Sequence, residues 1–425
     1  MYLALVKEVW HKKNVLSIFL PATSHAWVLI GNFYNYMMQK PAKKKVLVGM
    51  SGGVDSTVTA CLLKKQGYDV IGIHLRFWTD PTIFTAEEMQ QFPQNKCCAL
   101  DGLVKTRQLA ARLKIPFYVL NFEEIFKKEV VDFFIDGYGR GVTPNPCIEC
   151  NRSVKFGFFL QKMKELGADF IATGHYARKV TVKKNGREHY ELWTAKDKAK
   201  DQSYFLYTLT QDKLRHILFP LGDYLKTEVR ALAKKFGIAE VNKQKESQNL
   251  CFYPERKPGA FLKRHLGKKL FKPGPIFSIA GEQLGTHTGL PNYTIGQRKG
   301  LGIGGLKGYE NDGGQGWYVV KIDKTKNALV VGRQPDLYIK TFTAHSLSFI
   351  DDNLATPAAY QAQAKIRYLF PKQAAKLSLQ ANAANPTAFK SAALVEFENP
   401  QRAVTPGQSV VFYDGEKVLG GGIIV

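Results

Sequence analysis

Lys43 to Thr57 reads K-K-K-V-L-V-G-M-S-G-G-V-D-S-T, and this stretch decides the fold. Val46, Leu47 and Val48 form the short aliphatic run of a buried strand. The chain then turns through Gly49, Met50, Ser51, Gly52 and Gly53, passes Val54, Asp55 and Ser56, and continues as a helix over 58–63. A glycine-rich turn between strand and helix lets backbone N–H groups close on an anion, and the helix N-terminus adds partial positive charge. The hydroxyls of Ser51 and Ser56 can join that cradle. The spacing is not G-x-x-x-x-G-K-[ST], because no lysine follows the glycines, and it is not G-x-G-x-x-G. The plain alternative is a Gly/Ser turn in an ordinary βα unit. The full eight-residue string, set between strand and helix, argues against it.

Outward from this turn, strands and helices alternate. Residues 68–75 read as a second strand, 97–113 have helical spacing, and 116–121 read as a third strand. Residues 122–136 and 156–166 read as helices, and 170–173 as a fourth strand ending at Gly174-His175. The pattern predicts an α/β domain with a doubly wound parallel sheet. Ligands in such sheets lie at the carboxyl ends of strands, where Gly49, Leu75 and Gly174 fall. Residues 183–187 (K-K-N-G-R) read as a hairpin turn. Residues 212–236 read as helical pieces broken at Pro220-Leu221-Gly222. From residue 254 the composition shifts to Pro, Gly and Lys. Strands are then expected at 275–279, 317–323, 328–331, 365–369, 393–397 and 409–413, which predicts small β domains or a barrel. The expected division is an extension over 1–42, a nucleotide-binding catalytic domain over 43–253, a small central domain over 254–334 and a C-terminal β-barrel over 335–425.

The 425 residues suit two to three domains, and 45% hydrophobic residues suffice for packed cores. The formal net charge of +24, from 60 Lys+Arg against 36 Asp+Glu, points to a polyanionic partner, with tRNA or another nucleic acid first. Six cysteines, two in a C-x-x-C and two adjacent (Cys97, Cys98), do not resemble a secreted disulfide framework, so a reducing, cytoplasmic location is expected. No stretch has the apolar length of a membrane span. Residues 1–40 carry apolar pieces interrupted by Pro21, Ser24 and His25, with no arginine; the expectation is an over-extended start or a disordered extension.

The segment Thr143-Pro144-Asn145-Pro146-Cys147-Ile148-Glu149-Cys150-Asn151 presents two thiols on a chain stiffened by two prolines. The spacing admits half of a zinc site, but a second ligand pair is missing, and adjacent Cys97-Cys98 is a poor substitute. It admits iron–sulfur ligation, which usually needs three or four cysteines. It admits redox or nucleophilic work, which needs one accessible thiolate and a partner. Purely structural cysteines are the bland alternative. The partner candidate is Cys251, in E-S-Q-N-L-C-F; alone it would read as a small buried hydrophobe.

S-G-G-x-D-S is the signature of pyrophosphate-loop enzymes, which split ATP between the α and β phosphates to adenylate an oxygen. Read with T-P-N-P-C-x-x-C-N, K-F-G, A-T-G-H-Y-A-R, K-D-Q-S-Y-F-L, E-S-Q-N-L-C-F and T-x-G-Q-R-K-G-L-G-I-G, it makes the chain from Lys43 to Val425 resemble the tRNA-specific 2-thiouridylase (tRNA-uridine 2-sulfurtransferase) family. That family replaces oxygen with sulfur at C2 of the wobble uridine. The resemblance implies that Gly49, Met50, Ser51, Gly52, Gly53, Val54, Asp55 and Ser56 bind ATP phosphates, with Leu75 and Gly174 bounding the adenosine. It implies that Asn145, Pro146 and Cys147 touch the target base, that Cys150 is the attacking or resolving cysteine, and that Cys251 carries the persulfide sulfur. His175, Lys200, Asp201, Gln202, Arg367, Tyr368 and Gln408 would contact tRNA. ATP and Mg²⁺ are the implied cofactors, with no metal ligand assigned in the chain. A sulfur-donor protein such as a cysteine desulfurase or relay is an implied partner. Some members have aspartate where Cys147 stands, so Cys147 receives no proton-transfer role.

From the residues alone, His175 also reads as a satisfied strand-end histidine, Asp201 and Gln202 as a turn, and Arg367 with Tyr368 as a solvated strand face. Two rival functions stand beside the favoured one. Another pyrophosphate-loop ligase would leave Cys150 and Cys251 without a purpose. A basic RNA-binding protein with a degenerate nucleotide fold would not need an intact loop.

Overall fold

The computed structural model describes residues 43–83, 100–243, 250–253, 255, 258–303, 316–351, 359–380 and 392–425. The expectations for residues 1–42, for Cys97 and Cys98 and for 246–249 lie outside these. The chain divides at Lys43, and the architecture below is that of Lys44–Val425.

Strand β1 (Lys45–Gly49) is central, and Val46, Leu47 and Val48 have no exposed surface. Burial of each such side chain contributes about 1.5–3 kcal/mol. The strand is covered on both faces, so its apolar residues run consecutively instead of alternating. It pairs in parallel with β2 (Asp69–Arg76) on one side and β4 (Phe170–Ala172) on the other. β3 (Phe117–Asn121) lies beyond β2, and β7 (Ile217–Leu218) beyond β4, all parallel. Strand order therefore reverses at β1, and the loop after β1 opens at the switch point.

Helix α1 (Val54–Lys65) follows the loop and buries Val54 and residues 56–63. Helix α2 (Leu100–Arg112) leads to β3. Helix α3 runs through Glu123–Phe126, a π-helical stretch Lys127–Asp132 and Phe133–Gly139. Helix α4 begins ten residues earlier than the sequence periodicity suggests. It comprises Pro146–Glu149, a π-helical stretch Cys150–Phe158 and Phe159–Glu165. A π-helical stretch shifts the side-chain repeat, so a 3.6-residue template finds only its C-terminal part. Helices α5 (Gln211–Arg215) and α6 (Lys226–Lys235) flank β7, which is too short to leave a periodic signal.

Helix α7 (Gly259–Leu266) opens the central region. Its sheet has the order β10-β11-β8-β9, from Tyr318–Asp323, Ala328–Gly332, Gly274–Ser278 and Gln283–His287. The last strands are β12 (Tyr338–Phe349), β13 (Ala359–Lys365), β14 (Gln373–Gln380), β15 (Ala392–Arg402), β16 (Ser409–Asp414) and β17 (Lys417–Ile424). Antiparallel pairing of β12 with both β15 and β17 closes them into a barrel.

Two further features depart from the sequence reading. Residues 366–370 are a turn, not a strand: the Phe370 N–H donates to the Arg367 carbonyl at 3.2 Å, and Leu369 is 83% exposed. The hairpin β5 (Ala177–Lys184) and β6 (Arg187–Thr194) lies within the nucleotide-binding sequence but belongs to the barrel's sheet. β6 pairs with β17, Leu192 opposite Val418.

Candidate active site

The loop after β1 is tied together by its own hydrogen bonds. The Ser51 N–H donates to Ser56 Oγ at 3.2 Å, and the Ser56 hydroxyl donates to the Gly53 carbonyl at 3.1 Å. The Met50 N–H donates to the Ile73 carbonyl, and His74 Nδ1 lies 3.1 Å from the Met50 carbonyl oxygen. Burial holds His74 below its ordinary range, partly offset by that carbonyl. Gly52 has φ +80, and a Cβ there would stand 2.6 Å from Thr106 Oγ1. Gly174 approaches the loop from the end of β4; a Cβ there would lie 2.9 Å from Asp55 C and Ser56 N. Both glycines are therefore required by shape.

Asp55 is part-exposed, yet its carboxylate is fully engaged. Its Oδ1 accepts the Tyr176 hydroxyl at 2.8 Å, and both oxygens accept the Lys226 ammonium at 2.8 and 2.7 Å. Lys226 is buried and also lies 5.6 Å from the Tyr176 ring centre. The sequence reading missed both partners. Tyr176 stood inside A-T-G-H-Y-A-R, whereas nothing local marks Lys226 at the start of α6.

Asn145 caps α4, accepting the Ile148 N–H at 3.3 Å, with Pro146 in the first turn. This lifts Cys147 into solvent and turns Cys150 inward, where it is 7% exposed and begins the π-helical stretch. The neighbouring Asn151 donates to the Phe205 carbonyl at 3.1 Å, while its Oδ1 is buried without a hydrogen-bond partner among the described residues. Glu149 is buried and held by Arg152 at 2.9 and 3.0 Å. Cys251 is half-buried. Cys150 and Cys251 pack into one hydrophobic cluster that also holds Leu47, Ile73 and Leu75 of the two strands ending at the loop. Cys147 lies within electrostatic reach of Tyr253, two residues beyond Cys251. No described cysteine is in a disulfide, and no group of three or more His, Cys, Asp or Glu among the described residues is arranged to hold a metal.

The residues assigned to tRNA by resemblance are spread over the end of β4, the segment after β6 and the barrel. His175 follows Gly174, with Nδ1 2.8 Å from Thr173 Oγ1 and its ring against Phe156 and Phe219. Burial, with help from Lys155, pushes it well below the ordinary histidine range, so it is neutral at pH 7. Lys200 is half-buried. Asp201 is buried and accepts the Ala195 and Ser203 N–H groups. Gln202 exchanges hydrogen bonds with the Tyr176 backbone at 3.0 and 2.8 Å. Arg367 donates to the Ala403 carbonyl and Thr405 Oγ1, both at 2.7 Å, and Tyr368 packs 4.6 Å from the Phe205 ring. Gln408 donates to the Thr143 carbonyl at 2.7 Å, which ties the barrel to the thiol-bearing segment.

A parallel sheet with the turn G-M-S-G-G-V-D-S at its switch point defines an α/β enzyme of the pyrophosphate-loop class. Family models match along the chain: the tRNA methyl transferase HUP domain over 44–255, the tRNA methyl transferase PRC-barrel domain over 259–333 and the aminomethyltransferase β-barrel domain over 339–424. The chain is 46% identical over 380 residues to a tRNA-specific 2-thiouridylase MnmA 1 of Caldanaerobacter subterraneus subsp. tengcongensis, covering 89% of this chain and 97% of that one. It is 45% identical over 383 residues to the MnmA of Carboxydothermus hydrogenoformans, covering 90% and 98%. The chain belongs to the tRNA-specific 2-thiouridylase MnmA family.

Proposed function

We propose that this protein catalyses the ATP-dependent 2-thiolation of the wobble uridine of tRNA. The observation that carries this reading is the match along nearly the whole chain to tRNA-specific 2-thiouridylases; Cys150 and Cys251 also contribute, with residues of β1 and β2, to one extended hydrophobic cluster. The glycine-rich turn between strand and helix suits ATP phosphates, and Gly52 and Gly174 let its walls pack closely, since a Cβ would strike Thr106 at the first and the Asp55–Ser56 backbone at the second. Mg²⁺ finds no ready protein site: Asp55, the loop's own carboxylate, is already paired with Lys226. The described residues thus suit a metal that arrives on the phosphates, and no step here is routed through it.

The uracil C2 oxygen is a poor leaving group, and adenylation converts it to AMP. The loop N–H groups and the α1 N-terminus hold the phosphates as their charge develops. Cys251 presents a persulfide loaded by a donor protein. Its terminal sulfur attacks C2, AMP departs, and the base is joined to Cys251 through a disulfide. The Cys150 thiolate attacks the Cys251 sulfur, expels 2-thiouridine and leaves a Cys150–Cys251 disulfide for an external thiol to reduce. In the alternative order, Cys150 releases hydrosulfide first, which then attacks C2; both orders leave the same disulfide. The base must leave its stack, which is easier in an anticodon loop than in a duplex. Cys147, Asn145 and Pro146 line the thiol segment where that base would sit. The +24 charge supports binding of the tRNA backbone.

Mass spectrometry of tRNA from a strain lacking the protein tests the reading. Wobble 2-thiouridine is expected to disappear and to return with the wild-type chain. Undiminished 2-thiouridine in the absence of any paralogue would remove it.

A further inference from the structure

We propose that Asp80, Arg264 and Glu255 form a positioning relay that holds the Cys251 segment in register with the strand bearing the nucleotide site. The inference rests on the reading of Cys251 as the sulfur carrier. Strand β2 ends at Arg76, one residue past Leu75, and four residues later Asp80 is wholly buried. Its Oδ1 accepts the Thr82 N–H at 3.0 Å and the Thr82 hydroxyl at 2.6 Å. Its Oδ2 meets Arg264 Nη2 at 3.0 Å and Nε at 3.3 Å, with His265 Nε2 at 3.1 Å. Arg264 turns its remaining terminal nitrogen, Nη1, to Glu255 Oε1 at 2.5 Å. Glu255 lies four residues beyond Cys251.

One guanidinium thus bridges a carboxylate fixed to β2 and a carboxylate fixed to the sulfur-bearing segment. The fork geometry of arginine sets both directions at once, which an ammonium does not do. Phe261, on the same helix, supports the arrangement from below: its ring lies 5.1 Å from Tyr253 and 5.4 Å from Phe252, and edge-on to Trp78 at 6.5 Å. Glu255 Oε2 is buried with no hydrogen-bond partner among the described residues, four positions along the chain from the sulfur carrier. A carboxylate carries that desolvation only where another interaction holds it in place, and Arg264 is that interaction. None of the three side chains belongs to the loop or to the thiols, so the relay acts on position and not on chemistry.

The test measures two products in one reaction with persulfide-loaded protein, ATP and tRNA: pyrophosphate, released when the C2 oxygen is adenylated, and 2-thiouridine, formed when sulfur displaces AMP. Glu255→Gln is expected to keep the rate of pyrophosphate formation within about twofold of wild type while the rate of 2-thiouridine formation falls about tenfold, the scale of loss that a small misplacement produces. Arg264→Lys is expected to lose coupling in the same way, and the rate of Cys251 alkylation, followed by peptide mass spectrometry, is expected to change in both. An unchanged ratio of 2-thiouridine to pyrophosphate formation in both variants overturns the relay. So does a parallel fall of both products, which marks general damage. Cys251→Ser is run alongside: thiolation that survives it defeats the sulfur-carrier reading, whereas its loss together with normal coupling in both variants defeats the relay alone.

Discussion

Asp55 stands in the glycine-rich turn with its carboxylate shared between the Tyr176 hydroxyl and the Lys226 ammonium. The ammonium comes from the first residue of α6, so this ion pair joins the start of that helix to the start of α1, beside the apolar packing of Val229 and Ala233 on Val54 and Val58. Removing the cation leaves Asp55 without its charge partner beside incoming phosphates. Lys226→Met is expected to destabilise the fold by about 1–3 kcal/mol, below the full cost for a buried pair because Asp55 is part-exposed. It is also expected to lower kcat/KM for ATP more than tenfold. Thermal melting and ATP titration of the reaction check this; a variant with wild-type ATP kinetics contradicts it. Sequence alone exposed Asp55 but not its partners. Lys226 is 171 residues away, and no local periodicity encodes a contact of that range.

At the scale of elements, β4 and the loop after β1 meet through a missing side chain. A Cβ at Gly174 would stand 2.9 Å from the backbone at Asp55 and Ser56, and backbone cannot yield as a flexible side chain can. Gly174→Ala is expected to push α1's first turn away, raising KM for ATP about tenfold or more with the protein still folded. Circular dichroism with steady-state kinetics measures it, and an unaltered KM contradicts the close-approach argument. The string A-T-G-H-Y-A-R made this glycine legible as a site residue. The start of α4 was not legible, because its π-helical part leaves the 3.6-residue repeat that sequence templates seek. Residues 366–370 misled for the opposite reason: Ile366, Tyr368 and Phe370 alternate as strand residues do, yet all three pack inward or against the cluster from a turn.

Across the whole molecule, the barrel and the nucleotide-binding sheet are not separable bodies. The β5–β6 hairpin leaves the first domain's sequence to extend the barrel's sheet through β17. Tyr204 donates to the Ser409 carbonyl at 2.8 Å, and the Thr143 N–H donates to the Pro406 carbonyl at 2.9 Å. Deleting residues 339–425 would bare the β6 edge and release the segment that carries Cys147 and Cys150. Such a fragment is expected to lack the cooperative thermal transition of the full chain; a cooperative melt with the full chain's midpoint contradicts this. The parallel sheet was legible because β1 to β4 each carry an apolar run of their own, whereas the two residues of β7 do not suffice for one. The hairpin's allegiance was not, since its partner strand lies at the far end of the chain.

The most direct measurement of the central claim is a single turnover of persulfide-loaded protein with ATP and tRNA, read by mass spectrometry of both RNA and protein. One 2-thiouridine and one AMP are expected per persulfide consumed, together with a new Cys150–Cys251 disulfide. Cys150→Ser and Cys251→Ser are each expected to give no 2-thiouridine. Cys61→Ser is expected to behave as wild type, because burial pushes that thiol up to about 11 and keeps it inert. Undiminished 2-thiouridine from either active-site variant would contradict the convergence of a nucleotide cradle and two thiols on one base.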